Sequence, residues 1–211
     1  MSKKISIVAM LIMAIASFSN FFGYSLAGIS IVIGVVFFFV KRSSERNIAS
    51  ENALNRNAIG KHLKDQSIWF WITLPLIMNI ICFALATLFL PAFIDHILSR
   101  TEIVVSANMV ALLILQLAFL ALCEEIAWRG FFQKQLSKWL PTIPTLLLTS
   151  ILFSLAHFAA GNIAVVGYDI FFIFINSVLY GIVFYKTNNV YIGAISHFTA
   201  NLFSIVILFF L

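Results

Sequence analysis

The feature that most constrains this chain is an uncharged apolar run over residues 103–123, which is long enough to cross a bilayer as a helix. Similar runs recur along the sequence, and they lack the short polar–apolar alternation of a transmembrane β-barrel. Of the 211 residues, 62% are hydrophobic and only 10% are charged, whereas soluble domains carry about 25% charged residues. The bilayer must therefore solvate these side chains, and the sequence predicts an all-α, polytopic transmembrane helix bundle.

The apolar runs and the turn residues between them predict seven spans. They cover approximately residues 5–22, 24–40, 68–94, 103–136, 145–160, 169–185 and 190–211. The first two are expected to form a helical hairpin that turns near Ser19-Asn20 or Gly23. The alternative is a signal peptide, since Ala14-Ile15-Ala16 resembles a cleavage box. Residues 95–102 are expected to form a short external loop.

The polar segment 41–67 carries six Lys or Arg residues against three Asp or Glu residues. By the positive-inside rule it is a cytoplasmic loop, and Lys3 and Lys4 place the N-terminus on the same side. The basic residues thus orient the protein in the membrane, and no nucleic-acid partner is expected. Small size and short loops favour a multi-pass bacterial inner-membrane protein. We expect one integral domain, with N-terminal helices over 1–102 and core helices over 103–211.

Two adjacent carboxylates, Glu124 and Glu125, end the fourth apolar run, where charged side chains are costly and usually functional. On a helix Glu125 and Arg129 are i,i+4 neighbours, so Arg129 can neutralise Glu125 and hold it in place. Glu124 points about 100° away and lacks that partner. Such a carboxylate in a cavity can accept a proton from water. The alternative is a charge pair solvated at the cytoplasmic surface.

Two histidines lie in later apolar spans. His157 is either a partner for Glu124 around one water or metal ion, or a packing residue that donates to a backbone carbonyl. His197 and Asn201 are also i,i+4 and share one helix face. They could stabilise an oxyanion, bind a metal, or hydrogen-bond to a neighbouring helix.

These polar residues fall into three short segments, and the segments match, in order, the three motifs of a known family. They read Glu124-Glu125-x-x-x-Arg129, Phe153-x-x-x-His157 and His197-x-x-x-Asn201. The chain thus resembles the CAAX protease and bacteriocin-processing (CPBP, or Abi) family of intramembrane endopeptidases, and is similar to the Ras-converting CAAX endopeptidase. The resemblance covers roughly residues 110–211, and the region before it is similar only as apolar spans.

The resemblance implies about eight helices around a cavity open to the cytosolic leaflet. It makes Glu124 the water-activating base, assisted by His157. It assigns oxyanion stabilisation to His197 and Asn201. Supporting positions fall on Glu125, Arg129 and Phe153.

The cofactor is either Zn²⁺ or none, because Glu124, His157, His197 and Asn201 suit a zinc site and a metal-free glutamate protease equally on ligand type. Expected partners are a hydrophobic or prenylated peptide or protein substrate, and membrane lipid. The main alternative is a non-catalytic binding protein for bacteriocin self-immunity or for regulation of a partner membrane protein. A transporter is a further alternative, but it would require charged residues in several spans and an internal sequence repeat, and the sequence shows neither.

Threading the spans straight through a membrane leaves a geometric problem. Glu124 falls near the cytoplasmic end of its span, His157 near the far end of its own, and His197 between them. The three side chains can meet only if the fourth helix starts late and the fifth starts below the membrane surface, or if one of these helices is broken or strongly tilted.

Overall fold

In a computed structural model, residues 3–23, 26–44, 52–105, 110–208 and 210 are described, and they form nine helices and no strand. The helices are α1 Lys3–Ser17, α2 Ala27–Ser44, α3 Asn57–Lys64, α4 Gln66–Phe89, α5 Ala92–Val105, α6 110–136, α7 Thr142–Leu155, α8 Ile163–Thr187 and α9 Val190–Leu208. Within α6, an α-helix Val110–Glu124 continues as a π-helix Glu125–Gln133 and ends in an α-helical turn Lys134–Leu136.

Five of these helices, namely α2, α4, α6, α8 and α9, are long and apolar enough to cross a membrane. Two more, α1 and α7, are apolar but shorter. The prediction of an all-α, polytopic bundle is therefore confirmed, and these seven helices correspond to the seven predicted spans. The cytoplasmic orientation of the N-terminus and the side on which the cavity opens stay predictions. Part of the basic loop, residues 45–51, lies outside the described residues.

The N-terminal hairpin packs against the π-helix. A short 3₁₀ turn, Ser19–Phe22, ends at Gly23, which adopts a left-handed conformation with φ 77°. Met13 on α1 is fully buried. On α2, Gly34 lies so close to the π-helix that an added Cβ would sit 2.5 Å from Cβ of Ala127. Small residues allow such close approach between membrane helices, so α1 and α2 are part of the bundle core as a helical hairpin requires.

The prediction that residues 95–102 form an external loop is wrong, because they lie in α5. Phe93 and Ile97 on one face of α5 are buried in a cluster with Phe83 of α4 and Phe172 of α8. This packing stabilises a helix whose charged residues had indicated a loop. Residues 103–105 also belong to α5, and α6 is first described at Val110, so the fourth span does not begin at Ile103.

The sixth span begins earlier than predicted. The side chain of Asn162 caps α8, since its Oδ1 accepts the backbone N–H of Ala164 at 2.9 Å. Gly167 therefore lies inside the helix, not in a loop, and Asp169 stands in its second turn. The predicted tight turn after this span is confirmed, with Asn188 in the left-handed conformation at φ 46°.

The helices that carry or precede the candidate residues differ from straight, regular spans. The fifth span, expected over 145–160, is the short helix α7, and the chain leaves regular helix just before His157. The π-helix follows Glu124 directly, and such segments are frequent at functional sites. Which of the predicted solutions applies depends on the depth of each helix in the membrane, and it stays a prediction.

Candidate active site

The carboxylate of Glu124 lies between two imidazoles from different helices. Its Oε2 is 3.6 Å from Nε2 of His197 on α9 and 4.0 Å from Nε2 of His157 after α7. Glu124 is partly exposed to a cavity of about 220 Å³, and both histidines line the same cavity. Three side chains separated by up to 73 residues in sequence (124 to 197) therefore meet at one wall.

The other ring nitrogen of His157 is also held. Its Nδ1 lies 2.8 Å from the backbone carbonyl oxygen of Phe153. A carbonyl only accepts, so Nδ1 carries the proton in this bond and Nε2 of the neutral ring is an acceptor that faces Glu124. The sequence offered two roles for His157, and one ring has features of both. Nδ1 donates to a backbone carbonyl as in a packing histidine, and Nε2 faces Glu124.

Glu125 and Arg129 form a buried ion pair, with Nη1 of Arg129 3.2 Å from Oε1 of Glu125 and both side chains at 0% exposure. The predicted i,i+4 pairing is confirmed, and the alternative of a solvated surface pair is wrong. The same Oε1 lies 3.1 Å from Nδ1 of His197. Nη2 of Arg129 donates to the backbone carbonyl oxygen and to Oγ of Ser177 at 3.0 and 2.8 Å. Arg129 thus fixes Glu125, and Glu125 in turn orients His197.

Aromatic rings support both histidines. The ring of Tyr180 stacks on His197 with centroids 4.3 Å apart and an interplanar angle of 18°. Phe153 lies 4.5 Å from the ring of His157, and its face also receives the guanidinium of Arg129 at 4.6 Å. Cation–π contacts of this kind are stronger when buried. Phe153 therefore contacts both His157 of its own motif and Arg129 of the first motif.

Asn201 stands one turn after His197 on α9 and lines the same cavity. All four predicted catalytic residues, namely Glu124, His157, His197 and Asn201, therefore line the same cavity. Because both nitrogens of His197 face carboxylate oxygens, only the doubly protonated ring could donate to both at once.

Several residues of the site were not predicted from the sequence. Gly193 is needed beside Glu125, since an added Cβ would lie 2.7 Å from Oε2 of that buried carboxylate. Asn79, Asn176, Ser177 and Tyr180 also surround the site. Polar residues inside apolar spans are functional candidates by default, and that signal could have drawn attention to Asn79, Asn176 and Ser177.

A metal ion would find suitable ligand types here, because each imidazole has one nitrogen held by a carbonyl or carboxylate and the other turned toward Glu124. In the described part of the chain, however, no group of three or more His, Cys, Asp or Glu side chains has the placement to hold a metal ion. As placed, the residues do not fit a metal site.

The fold and the site define a polytopic helical membrane protein with a carboxylate–histidine centre between its helices. Residues 105–203 match the family model described as Type II CAAX prenyl endopeptidase Rce1-like. This match confirms the resemblance to the CAAX protease family, and it contains all three motifs. No curated protein and no solved structure matches the chain.

Proposed function

We propose that the protein is an intramembrane endopeptidase that hydrolyses a peptide bond of a lipidated or hydrophobic substrate, with Glu124 as the base that activates water. The family match supports a CAAX-type protease. The single observation that carries the residue assignment is the placement of Glu124 Oε2 opposite Nε2 of both His157 and His197 on a cavity wall.

The reaction begins with one water beside Glu124. Glu124, together with His157, takes a proton from this water while its oxygen attacks the carbonyl carbon of the scissile amide. The carbonyl oxygen becomes an oxyanion, which Asn201 and His197 stabilise by hydrogen bonds. Glu124 then returns the proton to the leaving amine as the C–N bond breaks, which yields a carboxylic acid and an amine.

Glu125, Arg129 and Phe153 act through the histidines. The buried Glu125 holds Nδ1 of His197, and the backbone carbonyl of Phe153 holds Nδ1 of His157. Both rings then present Nε2 toward the reacting groups without having to reorganise. Positioning of this precision contributes much of the rate in enzymes, because a displacement of about 1 Å can cost about 10²-fold.

The rest of the cavity suits an apolar ligand. Its wall beyond the site includes Phe83, Phe93 and Phe172. These rings would accept a hydrophobic or prenylated portion of a substrate, since pockets of this kind are mostly apolar with a few polar groups that fix orientation.

The test is cleavage of a quenched fluorescent, farnesylated CAAX peptide by the full-length protein purified in detergent. Wild type is compared with Glu124→Gln, which keeps the shape of the side chain but removes the base. The matched control is Asp95→Asn, the same chemical change at an exposed position of α5. We expect the first variant to lose about 10²–10⁴-fold in rate, the range for general bases, and the control to cleave normally.

Thermal unfolding of each purified variant accompanies the assay. Normal turnover by a folded Glu124→Gln protein would contradict the assignment of the base. If folded wild type cleaves neither this peptide nor a panel of hydrophobic peptides, a non-catalytic binding role is the better description.

A further inference from the structure

The N-terminal hairpin contacts the segment that carries His157. The side-chain amide of Asn20, in the 3₁₀ turn between α1 and α2, lies against the backbone that follows α7. Its Nδ2 donates to the backbone carbonyl oxygen of Ala156 at 3.3 Å and to that of Phe158 at 2.9 Å. These two residues stand on either side of His157. One amide therefore connects the hairpin to both flanks of a candidate catalytic residue.

The chemistry of these contacts defines which end of the amide faces the segment. A backbone carbonyl only accepts hydrogen bonds, so the NH₂ group of Asn20, with its two hydrogens, can serve both carbonyls and the amide oxygen cannot. The helix α7 ends at Leu155, and carbonyl groups at a helix end have no partner within that helix. Asn20 supplies donors at this place from 136 and 138 residues earlier in the sequence.

Apolar packing fixes the hairpin against the same segment. Met13 of α1 is buried in one cluster with Phe153 of α7. Ala156, whose carbonyl accepts from Asn20, packs against this cluster. The hairpin thus reaches the second motif through apolar side chains as well as through the amide, and the two contacts together define where the turn after α7 lies.

The position of the His157 ring depends on this turn. Its Nδ1 is bonded to the carbonyl oxygen of Phe153 at 2.8 Å, and its Nε2 lies 4.0 Å from Oε2 of Glu124. Residue 157 follows the last residue of α7, so regular helix does not hold its backbone on the C-terminal side. A shift of this backbone would move Nε2 relative to Glu124, and a displacement of about 1 Å at a reacting group can cost about 10²-fold in rate.

We propose that Asn20 is a positioning residue for His157, which holds the backbone on both sides of the ring and so keeps Nε2 opposite Glu124. This inference rests on the proposed function, since it adds a residue to the same site. Asn20 lies outside the three motifs and outside residues 105–203, which match the family model. The N-terminal hairpin is then part of the catalytic apparatus, and the matched core does not form the site alone.

The experiment compares Asn20→Ala with Ser19→Ala in the cleavage assay of the full-length protein. Oγ of Ser19 accepts the backbone N–H of Leu26 at 3.2 Å, so its loss disturbs the same turn without removing the donors of Asn20. We expect Asn20→Ala to lower kcat by about tenfold with KM changed by less than about twofold, because the displaced ring affects the reacting geometry more than substrate binding. Ser19→Ala should keep both constants near their wild-type values.

Thermal unfolding of each variant accompanies the kinetics, which are measured below the unfolding temperature. Should Asn20→Ala fail to fold, Asn20→Ser takes its place, since it retains one donor on a shorter side chain. A folded variant of Asn20 with normal kcat would contradict the proposal. So would an equal loss of kcat in Ser19→Ala, which would show that damage to the turn alone accounts for the effect.

A double-mutant cycle tests whether Asn20 acts through the ring of His157. In the His157→Ala background the ring is absent, and Asn20→Ala should then change the residual kcat by less than about twofold. If Asn20→Ala lowers kcat by the same factor with and without the ring, Asn20 only stabilises the hairpin and the positioning role is overturned.

Chemical modification of His157 separates failure of this inference from failure of the proposed function. Diethyl pyrocarbonate acylates the unprotonated nitrogen of an accessible imidazole, and mass spectrometry gives the rate at each histidine without any substrate. The side chain of His157 is 29% exposed, so it is open to the reagent. In Asn20→Ala we expect its rate to rise by about fivefold, the change in local opening that loss of one hydrogen bond causes.

The rate at His157 in Ser19→Ala, and the rate at His62 of α3 in both variants, should stay at the wild-type value. A rise confined to His157 in Asn20→Ala would support the positioning role even if wild type cleaved no peptide. Equal rates at His157 in wild type and Asn20→Ala would overturn it, whatever the cleavage assay shows.

Discussion

Nδ1 of His197 and Oε1 of Glu125 lie 3.1 Å apart, in a contact that is fully enclosed by protein. The same oxygen is held by Arg129 at 3.2 Å, so one carboxylate oxygen connects a buried guanidinium to a ring of the candidate site. Glu125 therefore acts on catalysis through His197, as a positioning residue.

Replacement of Glu125 by Gln tests that role. It removes the charge that orients His197, and we expect kcat to fall by about 10²-fold with a smaller change in KM. It also leaves Arg129 buried without its counter-charge, which should destabilise the protein by about 3–5 kcal/mol. Steady-state kinetics at a temperature below unfolding and a thermal unfolding curve measure the two effects separately.

Ser177→Ala is the matched comparison for that variant. It removes the Oγ that accepts from Nη2 of Arg129 but does not touch the Glu125–His197 contact. We expect a loss of about 1–3 kcal/mol in stability with nearly normal kcat. If both variants lowered kcat in proportion to their stability loss, Glu125 would have only a structural role.

Gly193→Ala tests the same carboxylate from its other side. The added methyl carbon would lie 2.7 Å from Oε2 of Glu125, so the carboxylate must move. We expect kcat to decrease by at least about tenfold, since small displacements of positioned groups are costly to rate. The control is Gly167→Ala on α8, where an added Cβ meets nothing within 4 Å. That variant should cleave normally and gain up to about 1 kcal/mol in stability, because Ala favours helix over Gly. Equal kcat in both variants would show that Glu125 tolerates displacement.

The sequence predicted those features that depend on local spacing. The contact between Glu125 and Arg129 follows from an i,i+4 separation, and the apolar runs gave seven of the helices approximately. Spacing alone leaves several roles open for the two histidines, and the resemblance in motifs favours a site that they share with Glu124. Their distances of 3.6 and 4.0 Å to Glu124 then came from the structure alone.

What the sequence missed depends on packing between distant segments. The charges of α5 indicated a loop. The helix is stabilised by burial against α4 and α8, and that burial cannot be read from the residues of α5 alone. The π-helix after Glu124 could not be predicted from a helix-breaking residue. Gly130 lies inside it, and the helix continues beyond it to Leu136. Similarly, the pairing of His96 with Asp169 joins residues 73 positions apart in sequence (96 to 169).

His157→Ala provides a test of the second motif. Nε2 of this ring faces Glu124, while Nδ1 is occupied by the carbonyl of Phe153. Loss of the ring should reduce kcat by about 10²–10⁴-fold if it assists proton transfer. His62→Ala, in α3 and away from the cavity, is the matched control and should leave kcat unchanged. A folded His157→Ala protein with normal kcat would show that the ring only packs against Phe153.

Metal removal distinguishes the two forms of catalysis that the motifs allow. The donors around Glu124 do not form a group of three that could hold a metal ion in the described part of the chain. We therefore expect cleavage to persist after prolonged treatment with a strong chelator, while Glu124→Gln remains inactive in the same buffer. Metal content of the purified protein, measured by mass spectrometry, gives an independent readout. Loss of cleavage on chelation, with restoration by Zn²⁺ but not by Mg²⁺, would contradict this expectation. It would indicate that Glu124, His157 and His197 move together around a metal ion in the active state.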